Sequence, residues 1–201
     1  YDENKMRIAV MNDMCRNSNI NRSYYDAARS AIHTLCGNEL CMQRRINLSV
    51  LYPGNAEDIL PIHADTWNGV SEYDLNVWIP LVDCQRSSAL YIMHKDASER
   101  LTEQSEKTFS MSSDDIFREY KNDLEYIDMN YGDILLFDQS LPHGYSLNKE
   151  DKSHWSMNCR FKSIHSPYSD KLLGEYFMPI TIRPTTIVGS RYRTPLENKE
   201  S

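Results

Sequence analysis

The stretch "ILPIHADTWNG", residues 59–69, sets a histidine and an aspartate two apart, His63 and Asp65. Residues i and i+2 of an extended segment share a side, so one strand end can present both to a single metal ion. Imidazole nitrogen with carboxylate oxygen suits a divalent first-row metal. The pair alone is a weak signal. With six histidines, a chance His-x-Asp is about a one-in-three event, and a second occurs in "HKD", His94 and Asp96. A facial metal site of two imidazoles and one carboxylate needs another histidine from farther along the chain, with the remaining positions open. "YGDILLFDQSLPHGYSL" supplies His143, after a β-prone run and a Pro turn. "WSMNCRFKS" then supplies Arg160. Guanidinium is planar and can grip a ligand carboxylate through two parallel N–H bonds. Tyr145, two residues after His143, shares its side if the strand continues and offers a hydroxyl donor.

These residues need a scaffold of short strands. "INLSVLY" (46–52), "YDLNVWIPLV" (73–82), "SALYIM" (88–93), "LEYIDM" (124–129), "ILLFD" (134–138) and "HWSMNCRFKSI" (154–164) are each bounded by turn signals. That rhythm predicts an all-β sandwich or barrel. Along 154–162, His154, Ser156, Asn158, Arg160 and Lys162 share one face, and Trp155, Met157, Cys159 and Phe161 the other. A polar strand face ordinarily meets solvent; Tyr145 beside a ligand histidine shifts the balance toward an inward polar face. Asn76 and Trp78 alternate along their strand and are candidates to line a substrate pocket, as is His154; Trp78 could equally be core.

Residues 1–37 read as helical, with Ile20, Tyr24, Ala27, Ala31 and Leu35 as the apolar stripe of a helix ending at Gly37. His33 lies off that stripe and is expected exposed. "SSDDIFREYKN" predicts another helix, with a serine N-cap and aspartates in its first turn. "HKDASERLTEQSEK" reads as a charged loop, "YFMPITIRPTTIVG" as an edge or wrapping strand because of its prolines, and the last ten residues as loose. The organisation expected is a single domain over 1–201: a helical N-terminal layer (1–45), a β core (46–165) and a wrapping segment (166–201).

The 201 residues carry a net charge of −7, which argues against a nucleic-acid partner. No apolar run approaches the roughly 20 residues that span a bilayer, so no membrane partner is expected. Cys15, Cys36, Cys41, Cys84 and Cys159 are odd in number and form no CxxC, which disfavours a disulfide framework or zinc ribbon and suits free thiols in the cytoplasm. The chain begins at Tyr1, from which a missing N-terminal portion is expected. A small-molecule partner is expected, and a homodimer is compatible with the chain.

"HADTW…YDLNVWIPLVDC…SALYIM…GDILLF…LPHGY…CRFKS" resembles the non-haem iron(II), 2-oxoglutarate-dependent dioxygenases of the phytanoyl-CoA-hydroxylase-like branch, over residues 46–165. "LPIHADTWNG" and "EYFMPITIRPTT" look like a bacterial subgroup of carbohydrate and aminoglycoside biosynthesis. The resemblance implies a double-stranded β-helix (jelly roll, cupin-like), mainly β with flanking helices. It implies that His63, Asp65 and His143 hold Fe(II), and that Arg160 binds the cosubstrate 2-oxoglutarate, with O2 taking an open position. Many relatives carry Arg-x-Ser; here Lys162 follows the gap, so Tyr145, Tyr52 or Thr66 would supply the second cosubstrate contact. Halogenating relatives lack the carboxylate, so Asp65 points to hydroxylation or another C–H oxidation, with a sugar or aminocyclitol derivative as the implied substrate. His94 and Asp96 are expected on a solvated loop, and His165 has no partner spacing. Two rivals of different class are a cupin-like metal isomerase, which needs no Arg160, and a jelly-roll carbohydrate-binding module, which needs neither histidines nor arginine.

Overall fold

The structure, a computed structural model, describes residues 3–17, 19–104 and 110–192. Helices α1 (Glu3–Arg16) and α2 (Ile20–Cys36) open the chain. Strands β1 (Leu40–Gln43), β2 (Asn47–Leu51), β3 (Leu60–His63), β4 (Leu75–Pro80) and β5 (Leu90–Met93) follow. Helices α3 (Lys95–Glu103) and α4 (Ser113–Glu119) precede β6 (Leu124–Ile127), β7 (Leu135–Asp138), β8 (His143–Tyr145), β9 (His154–Ser163) and β10 (Phe177–Thr181). Helix α5 (Pro184–Ser190) closes the described chain.

The strands form two antiparallel sheets, giving a mainly β protein with flanking helices. One has the order β10-β1-β9-β4-β7, with β2 also paired to β9; the other is β3-β8-β5-β6. The long β9 organises the first sheet. Along one edge it meets β2 over His154–Asn158 and then β1 over Phe161–Ser163; along the other it meets β4. Leu51, Trp78 and Phe137 of this sheet pack against Leu90 and Tyr145 of the second, so one core lies between the sheets.

A second core joins α2 to the outer face of the first sheet, through Tyr24, Tyr25, Ala28, Ile32, Val77, Cys159 and Phe161. The buried stripe of α2 is therefore rotated from the expected one. Ala27 is exposed and Leu35 is 61% exposed. Two adjacent tyrosines decide the rotation. Tyr24 stacks on Phe161 and its hydroxyl donates to the Val77 carbonyl at 2.7 Å, burying far more area than alanines can. His33 is half-buried rather than exposed, its Nε2 2.5 Å from the Tyr25 hydroxyl.

A third core covers the outer face of the second sheet. Ala97 and Leu101 of α3 and Ile116 of α4 meet Ile62, Tyr91 and Met93. Residues 95–103, expected as a charged loop, are thus helical: two apolar residues four apart suffice once a sheet lies beneath them. Residues 105–107 of that segment lie outside the described residues. Helix α4 has the expected start, with Ser112 and Asp115 in a reciprocal capping box. Residues 40–43, assigned by expectation to the helical layer, form β1, a central strand buried between β9 and β10. β10 is an edge strand, which tolerates Pro179. Residues 184–190 of the wrapping segment are instead helical, with Pro184 at the first turn. The expectation for the last ten residues falls almost wholly outside the described residues.

The polar face of β9 turns inward. His154, Ser156 and Lys162 are buried, and Asn158 and Arg160 are half-buried. Lys162 is fully buried with Asp74, their charged atoms 2.8 Å apart. Cys36, Cys41, Cys84 and Cys159 are free; the side chain of Cys15 lies outside the described part. Among the described residues, no helix is long and apolar enough to cross a membrane.

Candidate metal centre

Strands β3 and β8 are hydrogen-bonded neighbours, and His63 stands directly opposite His143 with ring centroids 4.5 Å apart. The third candidate ligand thus stands on the strand paired directly with β3. A register shift between Leu60 and His63 marks a bulge in β3, a device that re-aims a strand end. Asp65 opens the 3₁₀ turn Asp65–Asn68, which Gly69 closes with a left-handed φ of 73°.

Each imidazole is oriented by the same contact. Nδ1 of His63 lies 2.9 Å from the Pro61 carbonyl, and Nδ1 of His143 lies 2.9 Å from the Leu141 carbonyl. A carbonyl only accepts, so both Nδ1 atoms carry a proton, and Nε2 is the atom each ring has left for a metal. Burial, and next the neighbouring His63, push His143 down to about 4, so its imidazole is neutral at ordinary pH. One ligand atom each from His63, Asp65 and His143 lies within 4.8 Å of the others. Two imidazoles and one carboxylate on one side, facing a cavity, fit a divalent metal with open positions.

Asp65 is held from behind. Its Oδ1 lies 3.7 Å from His63 Nε2, while Oδ2 lies 2.7 Å from Arg160 Nη2 and accepts from Arg160 Nε at 3.2 Å. Arg160 also donates to Gln139 Oε1 at 3.2 Å, Gln43 Oε1 at 3.1 Å and the Tyr176 hydroxyl at 2.6 Å. Most of its five N–H groups are therefore engaged by the protein. Its position across from Asp65 follows from β9 register, which sets Arg160 opposite Asn76 of β4.

The triad and Arg160 line an inner cavity of about 220 Å³, together with Trp78 and Tyr145. Tyr145 is buried and its hydroxyl accepts from Trp78 Nε1 at 2.7 Å. An outer cavity of about 570 Å³ shares Arg7, Ser49, Leu60 and Tyr145 with it.

Other expected site residues stand elsewhere. Tyr52 lines the outer cavity, not the inner one, because the chain turns away at residues 53–55. Thr66 sits in the 3₁₀ turn with its N–H on the Gln139 carbonyl and does not line the inner cavity. Asn76 is fully buried without lining it, and its amide atoms have no hydrogen-bond partner among the described residues. His154 lies behind the wall, against Tyr145 and Trp78, bonded through Nδ1 to the Ser88 carbonyl and through Nε2 to Ser156 Oγ. Burial pushes it down to about 4, which leaves a neutral structural histidine. His94 precedes α3, exposed, 3.9 Å from Glu125, and Asp96 is exposed in the first turn of that helix. Sequence reasoning missed Gln43, Gln139 and Tyr176 around Arg160; single polar residues carry no periodic signal.

Gly144, between His143 and Tyr145, permits this close approach. A Cβ there would stand 2.5 Å from the Leu60 carbonyl and 2.4 Å from the Tyr91 hydroxyl. Gly144→Ala is expected to push β8 off β3 and cost about 1–3 kcal/mol, read by chemical denaturation, with weakened metal binding alongside.

No family model and no curated protein matches the chain. Solved structures do. The fold is similar to that of structures titled as non-heme enzymes. A structure titled a non-heme monooxygenase, the ThoJ–Ni complex, superposes with a TM-score of 0.59 at 14% identity, covering 83% of this chain and 61% of that one. HygX from Streptomyces hygroscopicus, solved with nickel and 2-oxoglutarate, gives 0.54 at 13% identity, covering 74% and 66%. SnoK, titled a non-heme alpha ketoglutarate dependent carbocyclase from nogalamycin biosynthesis, gives 0.52 at 18% identity, covering 77% and 66%. The chain spans about three fifths of the length of ThoJ. At these identities the likeness is one of fold.

Proposed function

We propose that this protein is an Fe(II)- and 2-oxoglutarate-dependent oxygenase that oxidises a C–H bond of a small polar metabolite. The observation that carries the reading is the His63, Asp65, His143 cluster opening on the inner cavity. Its donor set is the facial arrangement of non-heme iron oxygenases, which leaves positions for cosubstrate and oxygen. The likeness of fold to proteins titled with nickel, 2-oxoglutarate and non-heme chemistry supports it. On this reading the two sheets are the halves of a double-stranded β-helix, on the phytanoyl-CoA-hydroxylase-like branch. The metal, when bound, supplies oxygen activation coupled to 2-oxoglutarate decarboxylation.

The protein's own residues do the rest. The Pro61 and Leu141 carbonyls fix the ligand tautomers, Arg160 turns Asp65 Oδ1 toward the histidines, and Trp78 and Tyr145 form an apolar-backed wall. Retention of Asp65 favours hydroxylation or another oxidation without halogen transfer. A sugar or aminocyclitol derivative, the class the sequence resemblance implies, is the substrate we favour; a protein from nogalamycin biosynthesis has a similar fold.

The test is anaerobic loading with Fe(II), then admission of oxygen with 2-oxoglutarate. Succinate release, even without substrate, is expected. A protein that binds iron yet neither binds 2-oxoglutarate nor yields succinate would be a cupin-like isomerase instead, and one that binds no metal a carbohydrate-binding module.

A further inference from the structure

The candidate metal ligands open on a cavity too small for every reactant at once. At about 220 Å³ the inner cavity holds about seven waters by liquid volume. That is less than the roughly 300–1,000 Å³ of pockets that enclose small-molecule ligands. On the oxygenase reading, metal and cosubstrate already occupy it. The outer cavity, about 570 Å³, lies within the range. Arg7, Ser49, Leu60 and Tyr145 line both cavities and so form the neck between them. A second reactant therefore keeps its bulk in the outer cavity and sends only its reacting part through the neck.

Charge is unevenly placed in the outer cavity. Glu57 and Asp58 stand on the 3₁₀ turn Ala56–Asp58 and line one wall. Arg7 reaches the neck from α1, bonded to Asn4 Oδ1 at 2.8 Å and, at a long 3.4 Å, to the Leu48 carbonyl. Among the described residues none of these three charges is ion-paired. The turn is fixed by its own hydrogen bonds. Asp58 Oδ2 accepts from the Tyr52 N–H at 2.7 Å, Asn55 Oδ1 accepts from the Glu57 N–H at 3.2 Å, and the Gly54 N–H donates to the Asn148 carbonyl at 2.8 Å. One guanidinium faces two carboxylates, and a cleft concentrates such a field. An ammonium group is drawn to the turn and repelled from the neck, where Arg7 donates to oxygen instead. Asn4, Ser49 and Tyr52 add amide and hydroxyl groups, which suit a polyol.

We propose that the outer cavity seats the primary substrate, an aminated polyol whose ammonium group meets Glu57 and Asp58, so that its amine-free side enters the neck toward the metal. The assignment rests on the oxygenase reading and goes beyond it: it names a seat, a charge requirement and the end of the molecule that reacts.

Streptamine and scyllo-inositol are the probes, because they share one ring and differ only in two amino groups that replace hydroxyls. Calorimetry on the whole protein, loaded with Ni(II) and 2-oxoglutarate, gives both affinities without turnover. Streptamine is expected to bind at least about tenfold more tightly than scyllo-inositol. The double variant Glu57→Gln with Asp58→Asn keeps an oxygen for the Tyr52 N–H. It should bring streptamine to within about twofold of scyllo-inositol and leave Ni(II) affinity unchanged. With Mn(II) in place of Ni(II), proton relaxation of bound streptamine reads its orientation. Protons across the ring from the amino groups should relax faster than those beside them. Equal affinity for the two probes, a double variant that behaves as wild type, or the opposite relaxation order overturns the assignment. So does streptamine binding that 2-oxoglutarate abolishes, or a protein that binds neither probe. A wild type that binds streptamine but no 2-oxoglutarate keeps the seat and sinks the oxygenase reading, a separate failure.

Discussion

Alanine at His143 is expected to lower divalent-metal affinity by more than about 100-fold while leaving the fold in place. Outer contacts to a metal ligand are worth about 10–100-fold in affinity, so loss of a ligand must exceed that. His143 has no substitute: the cluster contains two imidazoles and one carboxylate, and no further His, Cys, Asp or Glu joins it among the described residues. His63→Ala should do the same from the opposite strand. His94→Ala is the contrast, because His94 is exposed beside Glu125 and does not line the cavity. Co(II) or Ni(II) titration, with circular dichroism to follow the fold, reads all three. Metal binding that survives His63→Ala and fails in His94→Ala would show that the wrong pair had been chosen.

The largest stability effect is expected at a different pair. Lys162 and Asp74 are both fully buried, 2.8 Å apart, and Lys162 also donates to the Pro167 carbonyl at 2.6 Å beneath the Tyr168 ring. Removing one partner leaves a buried charge with nothing opposite. Lys162→Met should therefore cost about 3–5 kcal/mol. For a chain of this size that lowers the melting temperature by about 6–20 °C. The double variant Lys162→Met with Asp74→Leu should recover much of the loss, since two apolar groups replace the pair without leaving a charge behind. Thermal melts of wild type, single and double variants measure it. A single variant as stable as wild type would mean that water reaches Asp74.

Lys162 also shows where sequence reading reaches its limit. Alternation placed it correctly on the polar face of β9 with Arg160, but could not say that this face is interior. Most charged strand faces are solvated; this one is covered by the second sheet and by residues from 65 to 74. A strand pattern records which side chains share a face, not what lies opposite. The same limit explains α2. Its period was legible, yet the stripe was off by one residue because Tyr24 and Tyr25 find Phe161 and the Val77 carbonyl more than fifty residues away. It explains α3 as well, whose Ala97 and Leu101 count as an apolar face only above Tyr91 and Met93.

The choice of His63 and Asp65 over His94 and Asp96 rested on the family resemblance, whereas the sequence by itself determined the candidate residue types, their spacing and the β-rich scaffold that carries them. Those follow from local chemistry and from periodicities of two and 3.6, which the chain carries in every window. Only the tertiary structure decided that His143 faces His63 across a single strand pair, that Arg160 spends its hydrogen bonds on Asp65, and that Arg7 overlooks the cavity. Each of these depends on register or packing between segments 41 to 95 residues apart, and such contacts leave no local trace in the sequence.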